Sequence, residues 1–251
     1  MKLAILSDIH ANLEALEAVL ADAAKRLPKD RELVTLGDMV GYGADPEAVA
    51  KTLRGLAVRA VLGNHEVGVL NPGTRGMFNP VALEAVLWTA DNISAETEAW
   101  LASLPKSLSL GPCRLVHGLP PDDTFRYLFE AGRPELARLM SGLAEPISFV
   151  GHTHVLKLLS LDQDQHLHVR KLDQGEHRLD RRARHMVNAG AVGQPRDGDP
   201  RAKYLIFDQD DWTVEAVFVP YDNRKAAAKI LSAGLPAVFA DRLIRHEPSF
   251  S

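Results

Sequence analysis

Short runs of apolar, often β-branched residues alternate along the chain with longer stretches in which apolar residues recur at helical spacing. Residues 2–6 are the first such run and predict a strand. Asn12 then supplies an N-cap for a helix that Pro28 ends. The same order follows in the strand predicted over residues 33–36 and in the helix that begins at Asp45. Repeated strand–helix order of this kind predicts βα units around a mainly parallel sheet.

The second half of the chain has a different pattern. From residue 156 onward short apolar runs are separated by polar turns, and residues 167–219 predict antiparallel hairpins. Between the third and fourth predicted strands, residues 71–104 contain helix starts at Asn79 and Ser94 and predict a helical insert. The other predicted strands are residues 58–62, 114–116 and 147–150, and the other predicted helices are residues 134–143 and 222–233.

Composition and charge limit the kind of protein that this chain forms. Its 251 residues are 46% hydrophobic and 25% charged, which is typical of a globular protein, and no low-complexity linker divides them. We therefore expect a single domain over residues 1–251, with the helical insert inside it. A net charge of −4 provides no global positive field to hold a nucleic-acid backbone or an anionic membrane. Non-specific nucleic-acid binding and membrane binding are therefore not expected.

The start of the chain and its cysteine content predict a compartment. The first apolar run covers only residues 3–6, far short of a signal-peptide core. Nowhere does the chain have the roughly 18 consecutive apolar residues of a membrane span. Its single cysteine, Cys113, has no partner for an internal disulfide. These features predict a cytoplasmic protein.

Five polar clusters each follow directly after a predicted strand. In an open α/β sheet the carboxyl ends of the strands share one edge, where ligands bind, so residues far apart in sequence meet there. Taken singly, each cluster is more simply explained as a hydrogen-bonded histidine or a turn-forming aspartate. Five clusters of ligand type, all at strand ends, favour a metal site instead. The clusters are Asp8-Ile9-His10, Gly37-Asp38, Gly63-Asn64-His65-Glu66, His117 and Gly151-His152-Thr153-His154.

The donor atoms in these clusters indicate the class of metal. They belong to two aspartates, one asparagine and five histidines, without cysteine. Oxygen and imidazole donors without thiolate suit manganese, iron or zinc, whereas calcium takes oxygen alone. So many donors indicate two ions. The Asp-x-His and His-x-His spacings place alternate residues on one side of a chain that leaves a strand, which suits chelation.

In this order the five clusters resemble the calcineurin-like metallophosphoesterases, whose motifs are Asp-x-His, Gly-Asp, Gly-Asn-His-Asp/Glu, a lone His, and Gly-His-x-His. Residues 41–46 and 188–198 also resemble a compact bacterial branch of phosphodiesterases and phosphatases. The resemblance implies a four-layer α/β/β/α sandwich of two mixed sheets flanked by helices. It further implies that His65 donates a proton to the leaving group. The implied metal ligands are Asp8, His10, Asp38 and His154 for one ion, and Asp38, Asn64, His117 and His152 for the other.

The function implied by the resemblance is hydrolysis of a small phosphodiester or phosphomonoester, a nucleotide being one candidate, through a metal-bridging hydroxide. Manganese is the expected metal, and iron, zinc and nickel are alternatives. A dinucleoside-polyphosphate hydrolase and a protein phosphatase are alternative enzymes. A non-catalytic metal-binding interaction scaffold is the alternative outside the enzymes, and the filled ligand positions together with His65 favour catalysis over it. The sequence leaves the oligomeric state open.

Three further residues are candidate contacts to a substrate. Arg196 lies in a loop rich in glycine and proline. It either binds a phosphate group or belongs to a loop that only connects two strands. Phe78 and Trp88 in the helical insert either pack in the core or form a rim beside the site that governs substrate choice.

Overall fold

The computed structural model describes residues 2–28 and 32–244, and within these ranges it contains twelve strands and eight α-helices. The strands are β1 (Lys2–Leu6), β2 (Glu32–Thr35), β3 (Arg59–Ala60), β4 (Ser107–Leu110), β5 (Cys113–Val116), β6 (Ile147–Val150), β7 (Leu156–Leu161), β8 (Leu167–Lys171), β9 (Gly175–Arg178), β10 (Arg184–Ala189), β11 (Ala202–Asp208) and β12 (Thr213–Val219). The helices are α1 (Leu13–Arg26), α2 (Pro46–Gly55), α3 (Asn64–Leu70), α4 (Pro80–Asp91), α5 (Ala95–Ala102), α6 (Arg133–Gly142), α7 (Asn223–Ser232) and α8 (Ala237–Ile244).

The strands form two mixed sheets of six strands each. The first has the order β3-β2-β1-β11-β12-β9 and the second the order β4-β5-β6-β10-β7-β8. Three neighbouring strands are parallel in each sheet, β3-β2-β1 in the first and β5-β6-β10 in the second. The prediction of a mainly parallel sheet is wrong, because six of the ten strand pairings described are antiparallel. The late strands form the antiparallel hairpins β7-β8 and β11-β12, one in each sheet, so the antiparallel pairs outnumber the parallel ones.

Apolar side chains fill the space between the sheets and cover both outer faces. Along β1 the side chains alternate, so that Leu3 and Ile5 point between the sheets, where they join the same cluster as Phe149 of β6. Ala4 and Leu6 point the other way, toward α1 and α2. On the far side of the second sheet, side chains of β6, β7 and β10 pack with those of α6. The result is the expected four-layer α/β/β/α sandwich.

The two helix starts predicted at Asn12 and Asp45 differ in how their side chains are used. Asn12 caps α1, because its side-chain Oδ1 accepts the backbone N–H of Ala15 at 3.1 Å. Asp45 precedes α2 as predicted, but its side chain makes no capping hydrogen bond. Its carboxylate instead lies 2.8 Å from Lys229 Nζ on α7, so an ion pair between distant segments replaces the predicted cap.

The segment between β3 and β4 is helical. Its helices α4 and α5 begin after Asn79 and Ser94, and both of these side chains accept a hydrogen bond from the first turn. The preceding helix α3 was not predicted, and the strand expected over residues 58–62 is only two residues long. The chain leaves that strand at Gly63, where an added Cβ would lie 2.3 Å from the backbone nitrogen of Asp38. This close approach turns the chain into α3.

The pattern also missed β4, β7 and α8. The sequence Ser-Leu-Ser-Leu of β4 alternates but is short and partly exposed, and α8 follows Pro236 with only eight residues. Elements this short carry too few repeats to define a period. Within residues 2–28 and 32–244, no helix is both long and apolar enough to cross a membrane.

Candidate metal centre

The polar side chains singled out from the sequence meet where the parallel strands of both sheets end. Their donor atoms fall into two groups, and within each group the atoms lie within 4.8 Å of one another. Asn64 adjoins the second group, since its Oδ1 is 3.2 Å from His117 Nε2. Every one of these side chains is buried. The first group is Asp8, His10, Asp38 and His154, and the second is Asp38, His117 and His152.

Several of these residues have a left-handed backbone, which costs about 1–3 kcal/mol for a residue other than glycine. Hydrogen bonds between adjacent loops hold this conformation. The backbone nitrogen of Asp8 donates to Gly37 O at 3.2 Å, and that of His10 donates to Asp38 O at 2.9 Å. Strain of this kind collects at functional sites. The φ angles are +52° at Asp8, +48° at His10, +50° at Asp38, +67° at His152 and +59° at His154.

Backbone carbonyl groups orient the four histidines of the two groups. Each ring has one nitrogen beside a carbonyl oxygen, and because a carbonyl only accepts, that nitrogen donates. In a neutral ring the other nitrogen is then unprotonated and points into the site. The carbonyl partners are Val40 for His10 at 3.2 Å, Leu36 for His117 at 2.9 Å, Phe125 for His152 at 2.8 Å and Gln194 for His154 at 2.5 Å.

The inward nitrogens face one another in two pairs. His10 Nε2 lies 3.2 Å from His154 Nε2, and His117 Nε2 lies 3.1 Å from His152 Nδ1. In the His10–His154 pair, whose pKa values are lowered, two unprotonated nitrogens at this distance repel each other unless a positive charge sits between them. In addition, Asp8 Oδ1 is buried without a hydrogen-bond partner, and the unprotonated Nε2 of His154 lies 3.2 Å from it. Facing lone pairs, an unpartnered carboxylate oxygen and donors without thiolate fit a divalent transition metal.

Asp38 lies between the two pairs of histidines. Its Oδ2 is 3.2 Å from His117 Nε2 and 3.6 Å from His10 Nε2, while its Oδ1 accepts the backbone N–H of His65 at 2.9 Å. Burial disfavours the charge of this carboxylate, but the surrounding imidazoles outweigh burial and hold the pKa of Asp38 well below its usual range. An ionised carboxylate therefore stands at the junction of the two groups.

Burial lowers the pKa values of the histidines, and the carboxylates of Asp8 and Asp38 raise them. Burial dominates at His10 and His152, lowering the pKa of His10 well below its usual value and that of His152 to about 3. At His117 burial is outweighed by the carboxylates of Asp38 and Asp8, which raise its pKa to about 9. Positive charge is thus favoured at the point where Asp38 and His117 meet.

His65 occupies a different position from the other histidines. It belongs to neither donor group, its ring is buried, and its Nδ1 has no hydrogen-bond partner. The ring contacts those of His10 and Tyr42, with centroid distances of 4.8 and 4.4 Å. Burial lowers the pKa of His65 to about 4, against the opposing charge of Asp38. Gly41 makes room for this ring, because a Cβ at Gly41 would lie 2.1 Å from His65 Nδ1.

Glu66 has a structural role at the site that the sequence reasoning missed. Its fully buried carboxylate accepts four backbone N–H groups, those of Asp38, Met39, Val40 and Gly63, at 2.7 to 3.1 Å. Burial and the charge of Asp38 raise the pKa of Glu66 to about 7, and these N–H groups oppose the rise. An acidic residue at the third position of a helix is the local signal that predicts such capping.

Arg196 lies at the entrance to the centre. Its side chain is exposed, and its backbone nitrogen donates to His154 O at 3.4 Å. The pKa of His154 is lowered mainly by burial, and the positive charge of Arg196 lowers it further. The loop is fixed by the next residue, Asp197, whose carboxylate lies 2.8 Å from Nζ of the buried Lys203.

Comparison with known proteins gives consistent matches along the chain. The family description "calcineurin-like phosphoesterase superfamily domain" matches residues 1–211. The uncharacterized protein MJ0912 of Methanocaldococcus jannaschii is 37% identical over 246 residues, which cover 96% of each chain. The crystal structure of a metallophosphoesterase from Sphaerobacter thermophilus is 36% identical, with a TM-score of 0.82 over 98% of this chain and 100% of the other. The hypothetical protein PH1004 from Pyrococcus horikoshii OT3 shares the fold, with 17% identity and a TM-score of 0.78 over 99% of both chains.

Proposed function

The chain belongs to the calcineurin-like phosphoesterase superfamily, and on this premise we propose that it hydrolyses small phosphate esters with the help of two divalent metal ions. The observation that carries the proposal is the position of Asp38, whose carboxylate belongs to both donor groups. A shared carboxylate between two sets of inward-facing imidazoles suits a pair of ions better than a single ion. We propose manganese as the metal, with iron, zinc and nickel as alternatives.

The donor groups divide the proposed ligands between the two ions. Two divalent ions bring four positive charges, and the carboxylates of Asp8 and Asp38 cancel two, so the loaded centre attracts an anionic phosphate. When bound, such a pair supplies an acidified water molecule and stabilises charge on the phosphoryl oxygens. The proposed ligands are Asp8, His10, Asp38 and His154 for one ion, and Asp38, Asn64, His117 and His152 for the other.

His65 is proposed to supply the proton for the leaving group. Its Nδ1 has no partner within the described residues, and its position beside Asp38 brings the ring next to the centre without making it a ligand. The negative charge of a bound phosphate favours the protonated His65 ring, against the burial that lowers its pKa to about 4. As the oxygen of a water molecule that has given one proton to solvent attacks phosphorus, the bond from phosphorus to the ester oxygen breaks, and that oxygen takes the proton of the His65 ring. General acid catalysis of this kind contributes typically ~10²–10⁴ in rate. A retained proton donor supports an enzyme over a non-catalytic scaffold.

Arg196 is proposed to bind the phosphate group as the substrate enters. Its guanidinium is the exposed cation near His65 and His154, and the Asp197–Lys203 ion pair holds its loop in place. A guanidinium binds two phosphate oxygens at once through parallel N–H groups. The phosphate would therefore be oriented before it reaches the donor groups.

The test combines metal content with hydrolysis. Metal-replete protein should contain about two ions per chain by elemental analysis and should cleave nitrophenyl phosphate monoesters or diesters, and chelation should abolish that activity. Asp38→Asn should reduce both readouts. Asp91→Asn is the matched control, because it makes the same change in an exposed acidic group at the end of α4, outside the donor groups. Two ions per chain retained in Asp38→Asn, or no hydrolysis of any phosphate ester by the replete protein, would overturn the proposal.

A further inference from the structure

Three flat rings form a stack that leads from the second donor group to the protein surface. The ring of Tyr127 lies on His152 with a centroid distance of 3.7 Å and an angle of 15° between the ring planes. Phe129 continues the stack, 4.9 Å from Tyr127 and again at 15°. Phe129 is 70% exposed. A nearly parallel series of rings therefore begins at a proposed metal ligand and ends in solvent.

Hydrogen bonds fix the segment that carries the two outer rings. Asp123 Oδ1 accepts the backbone N–H groups of Phe125 and Arg126, and Glu130 accepts that of Tyr127 at 2.9 Å. The carbonyl of Phe125 in turn accepts from His152 Nε2 at 2.8 Å. The rings are thus already held in the arrangement that a ligand would contact. The protein therefore loses little conformational entropy when a ligand binds there.

Packing within the fold accounts for the buried position of Leu128 but not for the exposed position of Phe129. Leu128 is buried in the apolar cluster that includes Leu136 and Met140 of α6 and anchors the segment there. Phe129 points outward, and most of its surface faces solvent, so it contributes little to the apolar core. A large ring left exposed at the end of an ordered stack is available to a ligand.

The stack also lies beside the cation proposed to bind phosphate. The backbone nitrogen of Arg196 donates to His154 O at 3.4 Å, two residues after the His152 ring on which Tyr127 stacks. The residue proposed to bind phosphate and the exposed aromatic face therefore both contact the segment of residues 152–154. A phosphate ester whose organic part carries a flat ring would contact both at once.

We infer that the rings of Tyr127 and Phe129 form a subsite for the nucleobase of a nucleoside phosphate ester. This inference rests on the proposed phosphoesterase function and narrows its substrate class. The phosphate lies at the donor groups and Arg196, and the base stacks on the exposed ring of Phe129. Because every nucleobase has a π face, stacking selects for a base in general and only weakly among bases.

The experiment compares two diesters that share the nitrophenolate leaving group, thymidine 5′-(p-nitrophenyl) phosphate and methyl p-nitrophenyl phosphate. The wild-type protein should favour the nucleoside ester in kcat/KM. In Phe129→Leu, which keeps an apolar side chain but removes the flat ring, the ratio of the two kcat/KM values should fall about tenfold, the scale of base–aromatic stacking. Leu231→Ala, a change of another exposed apolar residue on α7, is the control and should leave the ratio unchanged.

A binding measurement separates this inference from the proposed function. Adenosine 5′-monophosphate and methyl phosphate are titrated calorimetrically into the wild-type and Phe129→Leu proteins, so that no turnover is needed. The wild-type protein should bind the nucleotide about tenfold more tightly than methyl phosphate, and the variant should lose this preference. Equal preference in both proteins, by kinetics or by binding, would overturn the subsite. Cleavage of neither diester alongside a Phe129-dependent binding preference would count against hydrolysis and support the subsite.

Discussion

The carboxylate of Glu66 accepts the backbone N–H of Asp38 at 2.8 Å, and through this contact a residue of α3 sets the position of the carboxylate shared by the two donor groups. The same Glu66 side chain accepts the N–H of Gly63, the residue before Asn64. Two proposed ligands that lie 26 positions apart are therefore tied to one buried side chain. The precision of the centre depends on a residue that belongs to neither donor group.

Replacing Glu66 by glutamine should damage both stability and metal binding. An amide oxygen satisfies fewer of the four N–H groups, and its NH₂ group faces donors, so we expect a loss of about 2–4 kcal/mol in the free energy of unfolding. Urea denaturation of metal-free protein measures this loss, and elemental analysis should show fewer bound ions. Glu84→Gln on the exposed face of α4 is the control. A Glu66→Gln protein with wild-type stability and metal content would contradict this role.

The sequence indicated which polar side chains come together because its signals are local. Each cluster follows a strand, and the helix starts at Asn12, Asn79 and Ser94 depend on side chains that bond within the next turn. Parallel strands then bring their ends to one edge, so Asp8 and Asp38 meet without any knowledge of the full fold.

What the sequence could not predict depends on contacts between distant segments. The left-handed backbone at Asp8 and His152 is held by hydrogen bonds to distant segments, and the local sequence does not specify it even though Asp and His adopt it more readily than most residues. The stacking of Tyr127 on His152 joins residues 25 positions apart. The single domain with its helical insert stays a prediction, and so do the roles of the individual site residues.

Stability should depend on pH through Glu47, which links α2 to the start of α5. Burial alone would raise the pKa of Glu47, but hydrogen bonds from the backbone N–H and the hydroxyl of Ser94, together with the ammonium group of Lys51, outweigh burial and lower it from 4.5 to about 2. A folded-state pKa below the unfolded value means that the stabilisation is complete above pH 4.5 and is lost as the pH falls toward 2. Solvent screens this partly exposed group, so Glu47→Gln should cost only about 1 kcal/mol at pH 7.

Urea denaturation of the wild-type and Glu47→Gln proteins at pH 7 and pH 3 measures this dependence. The difference in the free energy of unfolding between the two proteins should be smaller at pH 3, because the Glu47 carboxylate stabilises the folded state less there than at pH 7. Glu98→Gln, an exposed change on α5, serves as the control. An equal difference at both pH values would show that the charge of Glu47 is not what stabilises the contact.

His65→Ala should separate proton donation from metal binding. The variant should keep both ions, because His65 lies outside the donor groups. Its loss in kcat should be larger for an alkyl phosphate ester, whose alkoxide needs a proton, than for a nitrophenyl ester, whose leaving anion is already stable. His166→Ala, a change in an exposed histidine, should leave both rates unchanged. Equal losses on the two substrates, or a fall in metal content, would argue against the proposed proton transfer.

Phe78 and Trp88, both candidates for a substrate rim, should behave differently because they lie in different surroundings. The ring of Phe78 is 5.4 Å from that of His65 and 5.7 Å from that of Phe125, so it borders the centre. Both residues pack against the apolar cluster of α4, α7 and α8, and these ring contacts to the centre are what distinguish Phe78 from Trp88. Phe78→Ala should raise KM for a nucleotide ester more than for methyl p-nitrophenyl phosphate, since a contact to the organic group supplies uniform binding.

Trp88→Ala should lower stability by about 3 kcal/mol and leave the relative substrate preference unchanged, because it removes packing between helices. Thermal melts run beside the kinetics distinguish the two outcomes. A large drop in Tm for Phe78→Ala with unchanged preference would assign Phe78 to the core as well. A changed preference in Trp88→Ala without loss of stability would show that the rim extends along α4, because Trp88 would then contact the substrate as well as the helices around it.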